Sequence, residues 1–228
     1  MAETKQELSK KDSFLVSLSN FLQKNRIIFI ILIVVLIVGI AAFTIIRETL
    51  KNRIENSTAV AEEAQDLYQK WVTEVDEAKK EVYREDCFEI IDQILEKYTN
   101  LYAAQRALFI KGNIYFEEEK WTDASAAYRE VFDTESESYL APISLNNASV
   151  SLENAGNLDK AIEVLNTLTD NYRDSFPDIA KIFFTKGRLY EENNDIENAK
   201  TAYNVLVDDF PNSNWTKLAR NRIIALEM

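Results

Sequence analysis

The sequence predicts an all-α protein: an N-terminal transmembrane helix, then a solenoid of paired helices, then a C-terminal capping helix. Three observations support this fold class. Residues 27–46 form one uncharged apolar stretch, and a helix-pair pattern recurs downstream at intervals of 37 and 38 residues. Only four Gly and three Pro occur among 228 residues, a composition typical of long helices joined by few tight turns.

The apolar stretch is long enough to cross a bilayer as a helix. Its 20 residues would rise about 30 Å, which matches the hydrocarbon core of a membrane. A buried core helix would carry a polar stripe, and a signal peptide would have a shorter apolar region that ends in a small-x-small cleavage site. Here Ala41 and Ala42 are followed by Phe43. The stretch therefore predicts a single, uncleaved membrane span.

The residues before the span, 1–26, predict a cytoplasmic tail with a short amphipathic helix. Apolar side chains at helical spacing share one face: Phe14, Leu15, Leu18, Phe21 and Leu22. The alternative is that they form the frayed start of the membrane helix. Five Lys or Arg residues precede the span, and three follow it within residues 47–53. Because the side richer in Lys and Arg stays in the cytoplasm, we expect the N-terminus inside and the large domain outside.

Residues 47–83 contain neither Gly nor Pro, and their apolar and small side chains recur at alternating spacings of four and three. The positions are Leu50, Ile54, Ser57, Ala61, Ala64, Tyr68, Trp71, Val75, Ala78 and Val82. Such a heptad seam predicts either a dimeric stalk or one long buried helix face. The larger side chains from Tyr68 onward favour packing within the chain, so residues 47–67 are assigned to a helical linker and 68–228 to the domain. A homo-oligomer built on the seam is the alternative.

Three copies of one pattern follow the seam: WTDASAAY at 121–128, LDKAIEVL at 158–165 and IENAKTAY at 196–203. A degenerate copy lies at Cys87, 37 residues before Ala124. A second helical segment precedes each copy, and helix pairs at a fixed period stack because one pair cannot bury its apolar face alone. The predicted units are residues 68–104, 105–141, 142–179 and 180–213, with a capping helix at 214–227.

These units resemble tetratricopeptide repeats. The residues at that family's repeat-packing positions are Gly112, Tyr115, Ala124, Tyr128, Ala161, Leu165, Gly187, Tyr190, Ala199, Tyr203 and Pro211. Small residues would let the two helices of a unit approach closely, and aromatic residues would fill the space between units. The chain departs from the family's pattern in two ways. The first copy has Val75 and Cys87 at its small positions, and the units are three or four residues longer.

Charge and composition exclude several classes of function. The chain has a net charge of −12, and the residues beyond Arg53 carry a net charge of −16. Because an acidic domain repels phosphate, we expect no nucleic acid partner. The chain has no His and a single Cys. The sequence also lacks a nucleophile–base pair, a Gly-rich phosphate loop and a metal-ligand spacing, so we predict neither enzyme activity nor a bound cofactor or metal.

The resemblance to tetratricopeptide repeats also implies a protein-binding groove lined by the first helix of each unit. The positions that face such a groove carry Arg106, Phe109, Asn113, Phe116, Asn146, Val150, Lys181, Phe184 and Arg188. Exposed aromatic rings beside three cations would suit an apolar or acidic partner. The alternative is that an N-terminal helix, residues 60–83, covers the Phe side chains.

The arrangement of tail, span and repeats is similar to that of the YfgM-like ancillary subunit of the bacterial Sec translocon. This resemblance implies a location in the bacterial inner membrane, with the N-terminus in the cytoplasm and the repeats in the periplasm. It also implies three kinds of protein partner: the Sec translocon, a membrane-anchored periplasmic chaperone and newly exported chains. A self-associating scaffold in the cell envelope or in cell division is the alternative function.

Overall fold

A computed structural model describes residues 10–228, with the side chains of residues 12–228. Over that range the chain forms ten α-helices and no β-strand. The helices are α1 (Lys10–Lys24), α2 (Arg26–Thr73), α3 (Glu77–Lys97), α4 (Tyr102–Glu117), α5 (Trp121–Thr134), α6 (Leu140–Asn154), α7 (Leu158–Tyr172), α8 (Ile179–Glu192), α9 (Ile196–Asp209) and α10 (Asn214–Ala225). The predicted all-α fold class is confirmed. Residues 1–9 of the predicted tail, including Lys5, lie outside the described residues.

The chain divides into two compact units, one ending at Glu55 and the other running from Asn56 to Met228. In the first unit, α1 and α2 are separated by Asn25, whose side-chain amide donates to the Phe21 carbonyl at 2.9 Å. The Phe21 ring packs edge-on against Phe29, with 5.8 Å between ring centroids. The apolar side chains of α1 are exposed, so this helix presents an uncovered apolar face.

Within the described residues, one helix, α2, contains a segment long and apolar enough to cross a membrane. None of that apolar segment is buried in the folded chain, whereas the core helix of a soluble protein would be largely covered. Its one hydroxyl is satisfied locally, because Thr44 Oγ1 donates to the Ala41 carbonyl at 2.8 Å. The segment therefore exposes an apolar surface without any unpaired side-chain polar group.

The heptad seam does not continue through one unbroken helix to Val82. Helix α2 ends at Thr73, and Glu74 accepts hydrogen bonds from the backbone N–H groups of Val75 and Asp76. The Asp76 carboxylate then caps α3 by accepting from two N–H groups of its first turn. The sequence prediction is wrong here because capping carboxylates can end and restart helices without any Gly or Pro. Val75, expected on the buried face, is 91% exposed.

The seam within the second unit is covered by the chain itself. Ser57, Ala61, Ala64 and Trp71 of α2 are buried. The Ala64 carbonyl accepts a hydrogen bond of 3.4 Å from the Cys87 thiol of α3, and burial raises the pKa of that thiol to about 11. The small residues of α2 thus leave room for α3, and the structure does not favour a dimeric stalk built on this part of the seam.

The helices that follow form three consecutive pairs, α4 with α5, α6 with α7, and α8 with α9. The repeated Ala residues, Ala124, Ala161 and Ala199, are completely buried at the start of each second helix. Helix α10 closes the series, because Thr216 Oγ1 donates to the Leu206 carbonyl of α9 at 3.1 Å and Ala219 is fully buried. The structure thus has the predicted tetratricopeptide-like architecture with a terminal helix.

Two of these pairs depend on a glycine that receives a tyrosine ring. A Cβ atom added at Gly112 would lie 2.6 Å from the Tyr128 ring, and one added at Gly187 would lie 2.6 Å from Cδ1 of Tyr203. Both tyrosines are buried. Because the ring occupies the space that a side chain on the first helix would need, each glycine sets the distance between its two helices.

Three of the remaining predicted packing residues lie in or beside the same core. Leu165 is buried, and Tyr115 and Tyr190 are half-buried. The Tyr115 ring packs on Phe88 of α3, with 5.5 Å between centroids. Pro211 lies exposed in the turn between α9 and α10. In the pair of α6 and α7, Ser149 takes the place of the glycine and Leu165 takes the place of the tyrosine. The first-helix residue is therefore larger than glycine, and the second-helix residue is smaller than tyrosine.

Gly187→Ala should destabilise the second unit by about 1–3 kcal/mol, because the new methyl group overlaps the Tyr203 ring. Urea unfolding followed by far-UV circular dichroism measures this change. The double variant Gly187→Ser with Tyr203→Leu reproduces the residue pair found in α6 and α7, and should recover part of the lost stability. A single Gly187→Ala variant as stable as the original chain would contradict this packing model.

A buried hydroxyl in α6 provides a second test. Ser144 is completely buried, and its Oγ has no hydrogen-bond partner. The equivalent residue one repeat earlier is Ala107, also fully buried. Ser144→Ala should therefore raise the free energy of unfolding by about 1 kcal/mol, because it removes an unsatisfied polar group.

The matched control is Ser149→Ala on the same helix. The Ser149 hydroxyl is also buried but donates to the Ala161 carbonyl at 3.1 Å, so its removal should lower stability by about 1 kcal/mol. Opposite shifts in melting temperature are the expected result. A loss of stability in both variants would show that the Ser144 hydroxyl contributes favourably.

Candidate protein-binding groove

The nine predicted groove residues lie on the first helices of their repeats: four on α4, two on α6 and three on α8. We call the surface that carries them the first-helix face. Val150 is 37% exposed and Lys181 is exposed, whereas the other seven are half-buried. Six of the nine contact residues outside the set, so their surroundings decide how much of this face a partner can reach.

The three Phe side chains are packed within the chain and are not the exposed anchors that the sequence suggested. Phe109 packs on the buried Tyr128 ring with 5.6 Å between centroids, and Phe116 packs edge-on against Trp121 at 4.9 Å. Each ring thus bridges the two helices of one repeat. Their half-burial reflects this contact with the second helix, which the spacing of residues along the first helix does not reveal.

Phe184 is covered from the C-terminal side. Its ring lies 5.5 Å from the Tyr203 ring and 5.3 Å from the Trp215 ring of α10, measured between centroids. The sequence alternative placed residues 60–83 over the Phe side chains, but for Phe184 the covering residue belongs to the terminal helix. Helix α10 therefore occupies the place on this face that the first helix of a further repeat would take.

Two cations of the first-helix face, Arg106 and Arg188, form ion pairs across the repeats. Arg106 binds Glu62 of α2 at 2.5 Å, and Arg188 Nη2 binds Glu153 Oε2 of α6 at 2.7 Å. Further along, Arg222 of α10 pairs with Glu191 of α8 through both its Nε and its Nη2. Each pair joins the first helices of neighbouring repeats, so these charges hold the repeats together and neutralise much of the face.

Sequence reasoning missed the acidic partners in these pairs, although a signal was present. The groove positions of the family place Glu153 and Glu191 on the same face as Arg188. Side chains of opposite charge on the first helices of adjacent repeats are expected to form ion pairs. Glu62 had no such signal, because it lies on α2, outside the predicted repeat units.

Tyrosine hydroxyls connect this face to the core. Tyr128 donates to the Asn113 side-chain oxygen at 2.6 Å, and Tyr203 donates to Glu191 Oε1 at 2.5 Å. Burial raises the pKa of both tyrosines. The Arg222 guanidinium, together with the Tyr203 hydroxyl, holds the pKa of Glu191 below its usual range. The same tyrosine that fills the space beside a glycine thus also orients a groove residue.

The accessible part of the first-helix face is centred on α6 and the first turn of α8. It carries the half-buried Asn146 amide, the Val150 side chain and the Lys181 ammonium group. This combination offers apolar contact, hydrogen bonds and one positive charge. Within residues 10–228, no group of three or more His, Cys, Asp or Glu side chains is placed to hold a metal ion. The arrangement is suited to binding a polypeptide surface.

Glu191→Gln should lower the free energy of unfolding at pH 7 by about 1–2 kcal/mol, because the carboxylate accepts charge-assisted hydrogen bonds. A carboxyl group with a depressed folded-state pKa stabilises the fold above its unfolded pKa of about 4.3, and loses that contribution as the pH falls through the folded value. The difference between variant and original chain should therefore shrink as the pH falls below about 4.

Thermal unfolding at a series of pH values measures this difference. Glu192→Gln is the matched control, because Glu192 forms an exposed pair of 3.4 Å with Arg188 on the same helix. Such a pair contributes little, about 0.3–0.5 kcal/mol. A Glu191→Gln variant that behaves like Glu192→Gln at every pH would refute the structural role of Glu191.

Comparisons with known proteins agree with this architecture. The sequence matches the family model described as a tetratricopeptide repeat-like domain over residues 19–227. A "TPR repeat-containing protein" of Treponema pallidum (strain Nichols) is 28% identical over 116 residues, which are 51% of this chain and 48% of that protein. The chain thus spans about half the length of this curated relative.

Among solved structures, the crystal structure of BtubC (BKLC) from P. vanneervenii is 13% identical and has a TM-score of 0.49. The alignment covers 72% of this chain and 75% of that one. The family match covers most of the sequence and includes all of α4 to α9. The chain belongs to the tetratricopeptide repeat-like domain family.

Proposed function

We propose that this protein is a single-span membrane protein whose repeat domain binds partner proteins outside the cytoplasm. The observation that carries the proposal is the contrast between the two units. None of the apolar segment of α2 is buried in the folded chain, whereas residues 56–228 bury their own apolar side chains. An uncovered apolar segment of this length requires a lipid environment, and the family match beginning at residue 19 includes it.

The charges that flank the span support this orientation. Five Lys or Arg residues lie before residue 27, compared with three in residues 47–53. By the positive-inside rule the N-terminus then lies in the cytoplasm, and the repeat domain lies on the opposite side. For a bacterial chain this places the repeats in the periplasm, anchored to the inner membrane.

A protein-binding scaffold is the role best suited to the repeats. Tetratricopeptide-like domains generally bind protein partners, and this chain leaves Asn146, Val150 and Lys181 accessible on the first-helix face. The similarity in architecture to YfgM-like subunits supports a specific set of partners: the Sec translocon, a membrane-anchored periplasmic chaperone and newly exported chains. The protein would hold these partners near the site of export without performing a chemical reaction itself.

Photocrosslinking in intact membranes tests both the partners and the orientation. Position 150 is the best site for the photoreactive residue p-benzoylphenylalanine, because Val150 is exposed and Phe184 is covered by Trp215. Mass spectrometry should recover translocon subunits, an anchored chaperone or unfolded exported chains. Position 163 on the exposed side of α7 serves as the matched control and should recover fewer of them.

Each other outcome contradicts a defined part of the proposal. Adducts with cytoplasmic proteins alone would overturn the orientation. Adducts with cell-wall or division proteins would overturn the translocon assignment and keep the scaffold. Adducts equally abundant at positions 150 and 163 would show that the first-helix face is not the binding surface.

Substitution of Lys181 by Glu should reduce recovery of the specific adducts, because it reverses the accessible charge of this face.

A further inference from the structure

Beside the first-helix face, a furrow crosses the turns between successive repeats. One cavity of about 590 Å³ lies between residues 136–143 and residues 171–177. A second cavity, of about 440 Å³, lies one repeat earlier, between residues 100–105 and 134–138. Ser138 lines both cavities, which therefore adjoin. We call this pair of cavities the turn furrow.

Aromatic rings line the turn furrow at the interval of the repeats. Tyr102 lines the smaller cavity, and Tyr139 and Phe176, at successive intervals of 37 residues, line the larger one. Tyr139 is 68% exposed, and its hydroxyl forms a 2.6 Å hydrogen bond with that of Tyr102. Tyr172 is fixed in the wall by a 2.5 Å hydrogen bond that it donates to the Ser136 carbonyl. Hydrogen bonds fix the positions of the tyrosine rings, and the aromatic rings together form a partly apolar surface that is accessible to solvent.

The point that joins the two cavities contains an unsatisfied polar group. The Ser138 Oγ atom is buried and has no hydrogen-bond partner. A buried hydroxyl without a partner is unfavourable, and because the Oγ atom is buried it is not part of the accessible surface of the furrow.

The charge of the turn furrow is negative. Glu135 lines the smaller cavity and Glu137 the larger, and the described lining of the two cavities includes no Lys or Arg. Two nearby cations are paired elsewhere. Arg106 pairs with Glu62 at 2.5 Å, and Arg173 pairs with Asp209 and lies over the Phe183 ring at 5.2 Å. The furrow therefore complements a positively charged occupant.

We propose that the turn furrow binds an extended segment of a partner protein that combines Lys or Arg with apolar residues. The larger cavity falls within the range of about 300–1,000 Å³ that is typical of binding pockets. Aromatic rings at the repeat interval would contact apolar side chains, and Glu135 and Glu137 would pair with basic ones. The lining of this site includes none of the nine groove residues of the first-helix face, although Tyr102 and Tyr139 also lie beside Arg106 and Phe109 of that face.

The probe is a fluorescein-labelled synthetic peptide of repeated Lys-Leu-Pro units, whose proline keeps it extended. Its binding to the full chain in phosphatidylcholine nanodiscs is followed by fluorescence anisotropy, with empty nanodiscs as the blank. The original chain should bind this peptide and should not bind the matched Glu-Leu-Pro peptide. Glu137→Lys should weaken binding about tenfold or more, because it replaces an attractive charge by a repulsive one.

Further variants separate a specific site from general attraction to an acidic domain. Ser175→Trp fills the larger cavity without changing charge, and should also weaken binding. Glu163→Lys makes the same charge change at an exposed residue that lines neither cavity, and should leave binding unchanged. Lys181→Glu on the first-helix face should leave it unchanged as well, which distinguishes this site from the proposed groove.

Two results would overturn the proposal. One is the absence of Lys-Leu-Pro binding to the original chain. The other is equal affinity in the original chain, Glu137→Lys and Ser175→Trp, which would show attraction without a site. Circular dichroism of each variant confirms that its helices are intact before affinities are compared.

Discussion

The close approach of two helices within each repeat is the constraint on which the rest of the repeat domain depends. Gly112 and Gly187 leave space that the Tyr128 and Tyr203 rings fill, and an added methyl group at either glycine would overlap the ring. Because protein interiors are close-packed, the distance between these helices cannot adjust freely to a change in side-chain volume. The spacing of the two helices in a repeat determines the surface against which the next repeat packs.

The same tyrosines connect the packed core to residues on the surface, because their hydroxyl groups donate hydrogen bonds there. The Tyr203 ring packs against Gly187 and Phe184, and its hydroxyl donates to Glu191, which in turn pairs with Arg222 of α10. A single side chain therefore links helix spacing, the packing of a groove aromatic and the attachment of the terminal helix. Since the members of a connected side-chain network depend on one another, stability and groove geometry should respond together to changes in any member.

The repeats present two surfaces of different chemistry. On the first-helix face, ion pairs between neighbouring helices neutralise most of the charge and leave Val150 and Lys181 accessible. Along the turns, aromatic rings and unpaired carboxylates such as Glu137 leave a negative, partly apolar furrow. A scaffold with two such surfaces could hold two partners at once, with the acidic character of the domain favouring basic segments at the turns.

The sequence by itself determined the helical class, the repeat family and the small residues that pack within each repeat. These features repeat along the chain, and each depends on a local pattern: the buried Ala124, Ala161 and Ala199 recur at a fixed interval. The apolar stretch was equally clear, because its length and lack of charge need no tertiary contact to be recognised. The break between α2 and α3 was not predicted, because it is formed by the capping hydrogen bonds of the Glu74 and Asp76 side chains and involves neither Gly nor Pro.

Only the tertiary structure decided which groove residues a partner can reach. Phe184 is covered by Trp215 from 31 residues further along the chain, and Arg188 is paired with Glu153 from the repeat before. The turn furrow also appears only when residues 37 apart are brought side by side. Local periodicity specifies which face of a helix a residue occupies, but exposure and pairing depend on side chains supplied by distant helices, and these become neighbours only when the repeats stack.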